Sequence, residues 1–118
     1  MGVTVIFTGP DGHTHFRDES FGPGNTEARA VVFPRHPAVG WEITESPAGF
    51  KSASVTPRVP RTLVVLEGEL EICASDGEAR IFRAGDVLHA TDTNGKGHSS
   101  AVPGLRPARV LNIVSQDY

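Results

Sequence analysis

The chain has 118 residues, 13 of them glycine and 9 proline, and a formal net charge of −3. That length suits one compact domain, residues 1–118, with a real core, and it excludes a (β/α)₈ barrel, which needs about 250 residues. Scattered arginines and a pI near 5.9 are the wrong footprint for a nucleic-acid binder, and no apolar stretch approaches the roughly 20 residues of a membrane span. No basic region precedes an apolar core at the N-terminus, so no signal peptide is expected. The single cysteine, Cys73, cannot form an internal disulfide. The expected compartment is a reducing cytoplasm.

Short β-type runs separated by turn residues extend along the chain. Val3 to Thr8 is rich in β-branched residues and stops at Gly9-Pro10-Asp11-Gly12. Asp18 to Glu27 is polar and Gly-rich and reads as a loop. Arg29 to Phe33 stops at Pro34, and Trp41 to Glu45 stops before Pro47. Further strands are expected at Lys51 to Thr56, Arg61 to Leu66, Glu69 to Ala74, Glu78 to Phe82, Asp86 to Ala90, His98 to Val102 and Arg109 to Ser115. Glu67-Gly68 and Ser75-Asp76-Gly77 read as tight hairpins, which makes Arg61 to Phe82 a three-strand meander. Glu69-Leu70-Glu71-Ile72 alternates with period two, one face wet and one buried. No window carries a helical stripe. An all-β chain must protect its sheet edges, as a barrel or a two-sheet jelly roll does.

The segment from Gly49 to His98 resembles the cupins. Their first motif, G-x5-H-x-H-x3-E-x6-G, is matched in spacing by Gly49, Val55, Pro57, Arg61 and Gly68. The frame is kept and its three ligands are gone. The second motif, G-x5-P-x-G-x2-H-x3-N, opens with Gly85-Asp86-Val87-Leu88. The longer loop Asp92-Thr93-Asn94-Gly95-Lys96-Gly97 then leads to His98, which stands at the motif's histidine. The likeness extends to short bacterial cupin-like proteins through Asp11-Gly12, His15-Phe16 and Ser75-Asp76-Gly77-Glu78. It implies a single-domain cupin-type β-barrel, that is, a double-stranded β-helix or jelly roll. It also implies a homodimer through N-terminal strands, here Val3 to Thr8 with Val3, Val5 and Phe7 on one face.

Val55 and Pro57 cannot ligate a metal, and Arg61 brings a permanent positive charge where the family has a carboxylate. The usual metal site is therefore not expected, and no cofactor is. A rebuilt set of His13, His15 and His98 is the remaining metal reading. On a strand His13 and His15 share one side, about 7 Å apart.

Without metal, His98 suits general acid–base work near neutral pH, with Arg61 as its electrophilic partner. That pair fits proton transfer next to a carbonyl, as in an isomerase, cyclase or lyase acting on a small, largely apolar molecule. A non-catalytic binding or sensor protein is the alternative. The pocket lining expected from alternation is Val55, Leu63 and Val65. Trp41 would be a stacking cap or a packing residue, and His89 would be either in the pocket or outside it. The Asp92–Gly97 loop could offer backbone N–H groups to an anion or be simply a turn. Cys73 reads as packing, Asp86 as a turn cap, and His36 as an exposed loop residue.

Overall fold

The computed structural model describes residues 2–116. Its strands are β1 (Gly2–Thr8), β2 (Thr14–Ser20), β3 (Asn25–Glu27), β4 (Ala30–Val32), β5 (Gly40–Ser46), β6 (Arg61–Glu67), β7 (Glu69–Ala74), β8 (Ala79–Arg83), β9 (Val87–Ala90), β10 (His98–Ala101) and β11 (Ala108–Val114). No helix of the described residues is long and apolar enough to cross a membrane.

A six-stranded sheet runs β2-β1-β9-β6-β11-β5, and a three-stranded sheet runs β10-β7-β8. All pairings are antiparallel except β1 with β9. β3 and β4 form a separate hairpin. The core lies between the two sheets. Ile6, Leu63, Val65, Leu88, Ala90 and Val110 of the larger sheet meet Leu70, Ile72, Ala74 and Phe82 of the smaller one. Period-two alternation supplies these inward faces directly. In β7, Leu70, Ile72 and Ala74 are buried while Glu69, Glu71 and Cys73 are only half-buried.

Three expectations are corrected. The Arg61 to Phe82 meander is not formed, because β6 and β7 lie in different sheets. Glu67-Gly68 is a corner that carries the chain across the sandwich. Gly68 has φ 78° and packs so tightly on the Pro107 carbonyl that a Cβ would collide with it. Lys51 to Thr56 is not a strand and touches β10 only through single bridges at Lys51 and Val55. The stretch read as a loop from Asp18 to Glu27 holds the end of β2 and all of β3. β2 is polar, and it owes its form to seven-residue pairing with β1. Asp86 caps its turn as expected, accepting from the Arg83 backbone N–H at 2.7 Å.

Candidate functional site

One end of the sandwich opens into a cavity of about 360 Å³. The larger sheet contributes Arg61, Leu63, Ala90, Val110 and Asn112, with Thr44 and Ser46 from β5. The smaller sheet contributes Leu70, Ile72, His98 and Ser100. The segment after β5 closes the rim with Phe50, Val55, Thr56, Pro57 and Arg58. The lining is mixed, half of it apolar and half polar or charged by residue, and polar groups converging over apolar walls suit a small-molecule site.

His98 opens β10 and is 8% exposed. Its backbone is clamped to Val55 by two hydrogen bonds, Val55 N–H to His98 carbonyl at 2.8 Å and His98 N–H to Val55 carbonyl at 2.9 Å. Its Nδ1 lies 2.6 Å from Oδ2 of Asp92, a fully buried side chain. An ionised Asp92 can only accept, so with that state the contact assigns the proton to Nδ1, and in the neutral imidazole the lone pair is then on Nε2. The second oxygen of Asp92, Oδ1, is buried with no hydrogen-bond partner among the described residues. Asp92 therefore depends on His98 for its polar compensation.

The loop between them is folded to make this contact. Gly95 and Gly97 have φ of 75° and 71°. A Cβ on Gly97 would strike the Val55 carbonyl, and one on Gly95 would lie 2.5 Å from the Gly12 carbonyl. Four successive loop carbonyls, Asn94, Gly95, Lys96 and Gly97, accept from the hydroxyls of Thr8, Thr56, Ser54 and Thr14. The Lys96 N–H is spent on the Gly12 carbonyl at 3.0 Å. These contacts fix the shape of the loop and with it the place of Asp92 at its start.

Of the expected site residues, the structure brings Arg61, Leu63, Val55 and His98 to the cavity. Val65 shares their face but is buried deeper, in the core. Trp41 does not belong to the site. It points to the opposite side of the larger sheet and is 70% exposed there. In β5 the polar residues Thr44 and Ser46 take the cavity side, the reverse of what hydrophobic patterning suggests. His89 also faces outward, beside His36, with ring centroids 5.7 Å apart. Its Nδ1 lies 2.7 Å from Thr62 Oγ1. Burial pushes the His89 imidazole below its ordinary pKa, and the neighbouring His36 adds to that against a smaller pull from Glu19.

The rebuilt metal set is corrected too. His13 is held at 3.2 Å by the Ser75 carbonyl and hydroxyl. His15 sits between Asp11 at 3.1 Å and Asp76 at 2.9 Å. Thr14 between them is the residue that turns inward. No group of three or more His, Cys, Asp or Glu among the described residues could hold a metal ion. The cupin metal does not fit this cavity either. Of the four frame positions Val55, Pro57, Arg61 and His98, only His98 offers a donor.

Sequence reasoning missed Asp92 as a partner of His98. It also missed Asn112, whose Nδ2 donates to Thr44 Oγ1 at 3.1 Å, and Ser100, bonded to Ser52 at 3.0 Å. The available signal for Asp92 was its place at the start of a glycine-bearing loop that returns to a histidine. The expected dimer strand is also accounted for. β1 lies between β2 and β9, and Val3 and Val5 are buried under the chain's own residues. Val3 lines a groove with Phe21, Phe33 and Pro34.

No family model matches the chain, and no curated protein does. Solved structures do. A cupin 2 conserved barrel domain protein from Salinispora arenicola is 20% identical with a TM-score of 0.55, over 64% of this chain and 61% of that one. A double-stranded β-helix domain protein from Klebsiella pneumoniae is 25% identical with a TM-score of 0.54, over 64% of each chain. An oxalate oxidase in complex with the substrate analogue glycolate is 20% identical with a TM-score of 0.50, over 65% of this chain and 42% of that one. The chain thus spans about three fifths of the length of the first two. It has the double-stranded β-helix fold of the cupins, a fold that includes enzymes.

Proposed function

We propose that the cavity binds a small, largely apolar organic molecule and moves a proton on it through Nε2 of His98. In this reading the protein is a metal-independent isomerase, cyclase or lyase. The observation that carries it is the buried 2.6 Å contact between Asp92 and His98 Nδ1 at a cavity with both apolar and polar walls. Asp92 is the positioning residue, which fixes the tautomer and orients the ring. Nε2 is the base, taking a proton from carbon next to a carbonyl and returning it elsewhere as acid. Arg61 and Arg58 line the same cavity and supply positive charge for a carboxylate or a developing enolate. Apolar walls from Leu63, Leu70, Ile72 and Val110 keep water from competing for that proton.

Solvent-isotope exchange tests this. The protein is incubated in D₂O with a panel of small enolisable ketones and keto acids, and deuterium uptake at carbon is followed by NMR. Uptake by the wild type that is lost in His98→Gln, with ligand binding retained, supports the reading. Glutamine has no group that takes a proton near neutral pH, and retained ligand binding reports that the cavity is intact. Exchange unchanged in His98→Gln overturns it. So does a ligand that binds tightly in the cavity without ever exchanging, which identifies a binding or sensor protein instead.

A further inference from the structure

The inward face of β11 carries one residue that core packing does not explain. Ala108, Val110 and Asn112 alternate inward along the strand, and Asn112 is 8% exposed. Its partner on β6 is Leu63, and Val110 beside it belongs to the apolar core. Asparagine is poorly suited to a strand. Burying its amide among such neighbours costs free energy unless each polar atom finds a partner.

The amide is paired at one end only. Nδ2 donates to Thr44 Oγ1 at 3.1 Å and to the Val110 carbonyl at 3.3 Å. A carbonyl only accepts, so the Val110 contact fixes which end of the amide is NH₂, and both its N–H groups are then spent. Among the described residues nothing donates to Oδ1. Unlike Oδ1 of Asp92, this oxygen is not sealed off, and Asn112 lines the same cavity as His98. What Asn112 leaves open there is an acceptor. Thr44, at the cavity rim, adds a donor. Its oxygen already accepts from Asn112, so its own O–H is left to give. An acceptor and a donor side by side are the complement of a hydroxyl group, which gives to one and takes from the other.

We propose that Asn112 selects the ligand of this cavity by accepting a hydrogen bond from a ligand hydroxyl whose oxygen accepts in turn from Thr44. The inference rests on the proton-transfer reading of His98 for the reaction and adds the substrate class to it. That class is a carbonyl compound carrying a hydroxyl, taken in preference to the plain ketone or keto acid. Leu63, Leu70, Ile72 and Val110 receive the apolar remainder. A plain ketone displaces water from Oδ1 and gives it no donor. A buried polar group left unpaired in this way is how a site rejects an analogue that lacks one hydroxyl, here by about 10- to 100-fold.

Matched compounds test the assignment on the full chain: 2-hydroxycyclohexanone against cyclohexanone and 2-methoxycyclohexanone, and acetoin against butanone. Dissociation constants come from titration calorimetry, and deuterium uptake at carbon is measured relative to uptake without protein. The hydroxylated member should bind and exchange about 10- to 100-fold better than the ketone. The methyl ether can accept from Thr44 but cannot give to Oδ1, so it should behave as the ketone does. Asn112→Leu should remove the preference without weakening cyclohexanone binding. Thr44→Val, an isosteric change on the edge strand β5, should reduce the preference, and it decides the matter if Asn112→Leu fails to fold. Three results overturn the inference: equal affinity within each pair, a hydroxyl preference that survives both substitutions, or hydroxylated members that do not bind at millimolar concentration. A hydroxyl preference in binding without any exchange upholds Asn112 and overturns proton transfer by His98, whereas exchange without a hydroxyl preference does the reverse.

Discussion

Replacing Asp92 by Asn tests the dyad without requiring a substrate. The substitution keeps the shape of the side chain and removes its charge. In the proposed dyad the 2.6 Å contact joins an ionised acceptor to Nδ1–H. A hydrogen bond to a charged group contributes about 1.5–3 kcal/mol, which favours the Nδ1–H tautomer by roughly 10- to 150-fold. Asparagine can present either its oxygen or its NH₂ group, so that preference falls towards unity and Nε2–H becomes populated. Long-range ¹⁵N–¹H spectra of the imidazoles, recorded where His98 is neutral, read the tautomer directly. Comparison with His98→Gln assigns the signal among the 5 histidines. The wild type should show one protonated nitrogen, Nδ1, and Asp92→Asn a mixture or an inversion. Once a turned-over substrate is known, the variant should lose activity by up to about 10⁴-fold, the scale seen when a carboxylate that orients a catalytic imidazole becomes an amide. Protonation at Nε2 in the wild type, or a spectrum indifferent to Asp92→Asn, would refute the reasoning.

Two further outcomes follow from the same contacts. His98→Ala strands the buried Asp92 carboxylate and should cost about 3–5 kcal/mol in urea denaturation. Asp92→Asn added to it should restore part of that loss, whereas simple additivity of the two changes would show that the pair is not coupled. The second outcome concerns pH. Burial and His36 lower the His89 pKa in the fold, so the native state binds fewer protons than the unfolded chain once the pH falls below about 6.5. His89 therefore contributes no penalty above that pH and a growing one below it, until the lowered folded-state value is passed. His89→Gln should flatten the fall in urea midpoint between pH 7.5 and 5, and parallel curves for the two proteins would contradict this.

Much of the site was legible because β6 and β7 obey strict alternation. Arg61, Leu63 and Val65 share a face as their spacing requires, and Leu63 and Arg61 reach the cavity. What the spacing could not supply was the destination of each strand. Glu67-Gly68 carries the same local signal whether the chain doubles back or crosses to a second sheet. Here the chain crosses, and Gly68 packs on the Pro107 carbonyl too closely for any Cβ. Parity misleads in β5, where hydrophobic patterning points Trp41 inward. The two faces of that strand are judged against different surroundings, a partly polar cavity mouth and an outer surface that the other described residues leave exposed. β2 was missed because its sequence, Thr14 to Ser20, is polar, and backbone pairing to β1 leaves little trace in side-chain pattern. Asp92 was missed as a partner because five residues of glycine-bearing loop intervene, and only the loop's fold brings the carboxylate back to His98.

A carboxylate held against Nδ1 is also what a metal-binding histidine requires, since such a ligand donates its other N–H to a carboxylate or carbonyl. The dyad alone therefore does not distinguish a metal site from a proton-transfer site. The frame around it does. The positions that would complete a coordination shell are Val55, Pro57 and Arg61. Each has another place in the structure: Val55 clamps the His98 backbone, and Pro57 and Arg61 line the cavity. One nitrogen donor facing a guanidinium cannot gather a cation. It can exchange a proton with a bound molecule whose negative charge that guanidinium accepts. On the proposed function, the orientation that would present a lone pair to a metal at a cupin site presents it here to carbon-bound hydrogen.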